Sequence, residues 1–138
     1  MSVSNESKKL PVAVAAIVGI ALMRLLGFAL PPPIPSDITL KSVMATILGI
    51  GVFCYFVTGV IAGAWANWKG YGYGALAAVL VFLGNLAYSL AIGTAYVDLS
   101  HPFWSLLGFF MAGLLALGIG ALGGFVGDRI RSWRQQKK

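Results

Sequence analysis

The chain has 138 residues, of which 59% are hydrophobic and only 10% charged, and it carries a net charge of +6. Its mean hydropathy is +0.87. Too little polar surface remains to coat a soluble core, since soluble domains average about 25% charged residues. Disorder, which requires low hydrophobicity and high charge, is excluded as well.

The charges are informative where they are missing. Lys41 and Lys69 enclose 27 uncharged residues, Lys69 and Asp98 enclose 28, and Asp98 and Asp128 enclose 29. A hydrocarbon core about 30 Å thick takes about 20 helical residues, so each interval holds one span. A further apolar run, Pro11 to Leu30, is interrupted by Arg24 alone. The expectation is an all-α, polytopic membrane protein: four transmembrane helices in an up-down bundle, at about 11–30, 41–67, 71–97 and 103–127. Residues 1–10 form an N-terminal tail and 128–138 a basic C-terminal tail. Pro31-Pro32-Pro33-Ile34-Pro35 ends the first span, with Ser36 or Asp37 available to cap the second. Lys69-Gly70-Tyr71-Gly72 reads as a tight turn, as does Asp98-Leu99-Ser100-His101-Pro102. The spans are too long for barrel strands and lack their alternation.

Basic residues follow the cytoplasmic side. With the N-terminus inside, that side collects Lys8, Lys9, Lys69, Arg129, Arg131, Arg134, Lys137 and Lys138, and the other side has Lys41. Both termini are therefore expected in the cytoplasm, in a cell (inner or plasma) membrane. Trp65, Trp68, Tyr71, Tyr73 and Trp133 fall at one interface and Tyr96, Phe103 and Trp104 at the other, where amphipathic rings collect. The tail residues Arg129, Arg131, Arg134, Lys137 and Lys138 are expected to contact anionic lipid, at roughly 1 kcal/mol each. A ten-residue tail with one aromatic is a poor nucleic-acid binder, and no such partner is expected.

In lipid, helices associate by close contact, so small residues mark interfaces. The fourth span has Gly108, Ala112, Ala116, Gly120 and Gly124 at intervals of four. The second has Gly59 and Gly63, and the third begins with Gly70 and Gly74. The partner is a helix of this chain, a second copy, or another protein. The string Gly59-Val-Ile-Ala-Gly63 also aligns with Gly120-Ala-Leu-Gly-Gly124. That is a parallel repeat of the kind found in transporters, or a coincidence in a glycine-rich chain. Gly118-x-Gly120-x-x-Gly123 satisfies a dinucleotide pattern as text but sits mid-span, where the required strand–turn–helix context is missing.

No acidic pair, serine–histidine pair or metal motif falls within the spans. His101 and Cys54 are the sole histidine and cysteine, and a zinc site needs about four ligands. No enzyme and no cofactor is expected. Arg24 is the one intramembrane charge, which makes it a candidate by default. Asn85, Tyr88 and Ser89 share one face of the third span, with Thr46 and Ser105 at a similar depth. These six residues form a candidate lipid- or anion-binding cluster, guanidinium being suited to phosphate. The alternative is that Arg24 snorkels to the headgroups or bonds only Asn85 and Tyr88.

Four short spans, with the Gly59–Gly63 string leading to Lys69-Gly70 and Gly74, resemble the layout of several small four-span membrane-protein families of bacteria and archaea. The resemblance implies a four-span fold and brings no activity with it. Small multidrug exporters differ, having a glutamate in their first span, and fluoride channels differ in their threonine–serine-rich broken helix. The leading functional expectation is an accessory or interaction subunit that packs through small-residue faces, bound to a protein partner or to itself. A homo-oligomeric channel or small transporter using the Arg24 cluster is the alternative, and a holin-like protein a further one.

Overall fold

The computed structural model describes residues 3–29, 40–66, 69–93 and 102–136, and these form four helices. They are α1 (Val3–Ala29), α2 (Leu40–Trp65), α3 (Gly70–Ala91) and α4 (Pro102–Gln136). The expected proline break at 31–35, the cap at Ser36 or Asp37 and most of the turn from Asp98 to Pro102 lie outside the described residues. Three helices are long and apolar enough to cross a membrane, over Leu48–Trp65, Gly70–Ala91 and Pro102–Gln136. The apolar stretch of α1, Val12–Gly27, is shorter, about 24 Å at 1.5 Å per residue.

The helix ends differ from the expected ones for local reasons. α1 starts at Val3 rather than near Pro11. Pro11 sits inside the helix and withholds an amide from the carbonyl of Ser7, marking where the polar first turns meet the apolar stretch. α3 stops at Ala91, short of residue 97, because Gly93 adopts φ 70°. The amide of Gly93 donates to the carbonyl of Leu90 and that of Ile92 to Tyr88, a glycine-type C-cap. The expected turn at 69–72 pivots on Lys69, which is left-handed at φ 50° and ψ 58°; Gly70 already belongs to α3. The segment expected as a basic tail is a continuation of α4. No breaker follows Gly127, Asp128 pairs with Arg131 one turn on at 2.8 Å, and the Ser132 hydroxyl donates to the carbonyl of Arg129.

Small residues make the core. The largest fully buried side chains are Val81, Thr58 and Cys54, and around them lie Ala15, Ala62, Ala77, Ala78 and Ala116. Thr58 donates its hydroxyl to the carbonyl of Cys54 at 2.7 Å, so this buried polar group is satisfied within its own helix. Large apolar side chains point outward instead: Leu106, for example, is 70% exposed. This inversion is what a lipid solvent permits, because apolar surface costs nothing there and close backbone contact supplies the cohesion.

α4 is the wedge of the bundle, carrying two adjoining glycine pairs. A Cβ on Gly120 or Gly124 would strike α3, at Ala78 and Gly74 or at Gly70 and Gly74. A Cβ on Gly123 or Gly127 would strike α2, at Phe56 and Val60 or at Val60 and Ala64. Both neighbours answer with glycine: Gly59 and Gly63 of α2 face Gly120 and Gly124, and Gly74 and Gly70 of α3 face the same two residues. The numbering runs in the same sense for α2 and α4 and in opposite senses for α3 and α4. In every pair a carbonyl oxygen of one helix lies where the other would carry its Cβ, the approach that allows Cα–H···O contacts. α1 seals the groove between α2 and α3, with Val12 and Ala15 against Ala62 and Ala77 and Gly19 against Thr58 and Val81. Among the described residues α1 does not reach α4.

Candidate functional site

The contacts of glycine with glycine all lie toward one end of the bundle. Toward the other end, α2 presents Tyr55 and Val52 where it had Gly59 and Gly63, and α4 presents Ile119 and Leu115. These side chains hold the helices apart and leave a cavity of about 360 Å³. α1 contributes Met23 and Gly27 to its wall, and α3 contributes Asn85. A second, smaller cavity of about 140 Å³ lies beside it, lined by Tyr55, Phe82, Asn85 and Ser89 among others. Asn85 and Tyr55 border both cavities. The larger volume falls within the range of small-ligand pockets, and its wall is almost wholly apolar.

The six residues of the expected polar cluster do not converge on one point. The guanidinium of Arg24 stacks over the ring of Tyr88, 3.7 Å from its centroid. Both side chains are exposed, so this cation–π pair faces outward from α1 and α3. Asn85 turns the other way and donates its side-chain amide to the sulfur of Met23. Ser89 faces the smaller cavity. Ser105 lies in the first turn of α4 and borders neither cavity. Thr46 falls on α2, but its side chain is outside the described residues. The helical face from Asn85 to Ser89 thus divides, because α1 crosses it and takes Tyr88 on one side and Asn85 on the other.

Of the small residues, Gly59, Gly63, Gly70, Gly74, Gly120, Gly124 and Ala116 are buried. Ala112 is half-buried and lines the larger cavity, and Gly108 has open space where a Cβ would stand. A series at intervals of four drifts about 40° per step on a helix of 3.6 residues per turn, so Gly108 and Gly124 face directions about 160° apart. Gly113, Gly123 and Gly127 are expected from the sequence to widen the groove of this stripe, and of these Gly123 and Gly127 press on α2, three and seven residues beyond Gly120.

At the glycine end, Asp128 stands beside Gly70, whose Cβ would lie 2.8 Å from that of Asp128. Arg131 donates to Asp128, and Arg129 lies over the ring of Phe125 at 5.5 Å. Arg134 borders a separate groove with Trp65. Lys137 and Lys138 are outside the described residues. Among the described residues no three His, Cys, Asp or Glu side chains group as metal ligands would. No protein-family model matches the chain, and neither a curated protein nor a solved structure is significantly similar to it. The resemblance to small four-span families therefore rests on layout and the Gly59–Gly63 glycine string alone.

Proposed function

We propose that this chain is an integral protein of the cell (inner or plasma) membrane that crosses it four times, with both termini cytoplasmic. It works without catalysis, as an accessory or interaction subunit of a larger membrane assembly. The observation that carries this reading is the two-faced character of α4. One face, Ala116, Gly120, Gly123, Gly124 and Gly127, is spent inside the bundle. The opposite face, Trp104, Leu107, Met111, Leu114, Leu122 and Phe125, is exposed along its length and keeps the 3–4 spacing of a helix-packing seam, with Gly118 between Leu114 and Leu122. The experiment is photo-crosslinking in native membranes. A photoreactive residue at Met111 or Leu114 should give one discrete adduct, which one at Ile17 or Leu80 does not. Equal, diffuse labelling at all four positions would defeat the reading.

A second reading, a small transporter or channel, draws support from Asn85, which stands between two cavities. Against it, Thr58 is the one fully buried polar side chain among the described residues, whereas a wet pore needs a continuous polar lining. Ion or solute flux from proteoliposomes distinguishes the two.

A further inference from the structure

Because α1 does not reach α4, a groove of about 490 Å³ lies between them on the surface of α2. Val14 and Val18 of α1 form one wall, Val60 and Ile61 of α2 the floor, and Ile130 of α4 the opposite wall. One end carries two different residues, Trp65 and Arg134. Trp65 is the last residue of α2, and its indole suits the headgroup boundary. Arg134 lies seven residues beyond Gly127, about 10 Å further along the helix. The other two arginines of this helix end are engaged elsewhere, Arg131 with Asp128 and Arg129 with Phe125. Arg134 makes no ion pair among the described residues. α1 also brings Lys8 and Lys9, in its first two turns, to this end of the bundle.

We infer that this groove is a seat for one anionic phospholipid, with an acyl chain between α1 and α4 and its phosphate on Arg134. The groove supplies both halves of the recognition. Its floor and walls match a hydrocarbon chain, and its single guanidinium offers paired donors to phosphate oxygens. An apolar partner helix would leave Arg134 unmatched in charge, and a free anion would leave the valine walls without a counterpart. The inference goes beyond the proposed role as a subunit. It does not depend on the proposed orientation.

The test is fluorescence quenching by acyl-brominated lipid in phosphatidylcholine vesicles, with the full chain reconstituted alone. Brominated phosphatidylglycerol at low mole fraction should quench Trp65 more strongly than brominated phosphatidylcholine. The apparent preference should be about fivefold, the factor matching roughly 1 kcal/mol per basic residue at an anionic surface. The headgroup-dependent part should vanish in Trp65→Phe, which removes the reporter, and in Arg134→Gln, which removes the phosphate contact. It should persist in Arg129→Gln, whose side chain lies outside the groove. Equal quenching by the two headgroups would overturn the inference. So would a preference that survives Trp65→Phe, or one lost as fully with Arg129→Gln as with Arg134→Gln. The vesicles are symmetric and contain no partner protein, so neither orientation nor subunit role enters the result.

Discussion

A glycine in this bundle is defined by what lies opposite it, and neighbouring glycines differ sharply in that respect. Gly63 and Gly124 meet backbone to backbone, whereas Gly118 has open space on its Cβ side. Gly63→Val or Gly124→Val must push two helices apart. The expected loss is about 1–3 kcal/mol or more, read as a fall in the thermal midpoint in detergent. Gly118→Ala should leave the midpoint unchanged or raise it, since alanine is the better helix former by up to about 1 kcal/mol. A second residue-scale expectation concerns Arg24. Its partner is the ring of Tyr88, so Tyr88→Phe should be silent, and Tyr88→Leu should cost roughly 0.5–2 kcal/mol. Equal effects of the two would show that the hydroxyl, and not the ring, holds the guanidinium.

At the scale of elements, helix ends were the least legible feature. The signals that decided them are single residues. Gly93 ends α3 because its positive φ suits a residue without a side chain, and Gly93→Val should cost about 1–2 kcal/mol while Gly93→Asn is better tolerated. Lys69 performs the turn expected of its glycine neighbours, and Gly70 is needed for another purpose, the approach to Gly63 and Asp128. α4, at 35 residues, is about 52 Å long against a hydrocarbon thickness of about 30 Å. On the proposed topology its basic end stands in the headgroup region or beyond as helix. Hydrogen exchange should find the amides of residues 130–134 protected, and Ser132→Pro should abolish that protection while sparing Leu114 to Leu122.

At the scale of the molecule, the aligned glycine strings of α2 and α4 have a packing role, repeat or coincidence alike. The two strings lie against each other, Gly59 on Gly120 and Gly63 on Gly124, as one parallel glycine crossing within a single chain. Tight packing at that end and bulky side chains at the other open the bundle into the cavity beside Asn85. The proposed placement of both termini on one side rests on four membrane crossings in alternating directions. With Cys54 replaced by Ala, cysteines introduced at Ser4 and Ser132 should both resist a membrane-impermeant maleimide in intact cells and react after permeabilisation. Labelling of one and not the other would refute an even number of crossings.

The sequence by itself determined the helical class, the apolar helices long enough to cross a membrane and the small residues that bring helices together. Those properties depend on composition and on local spacing along one chain, which any single helix already expresses. Tertiary structure alone decided which glycine faces which backbone, that Tyr88 and Asn85 part company around α1, and that a groove remains where α1 misses α4. Each of these depends on the rotation and crossing of whole helices. A glycine permits close approach on every side equally, so it carries no record of the direction from which its neighbour comes.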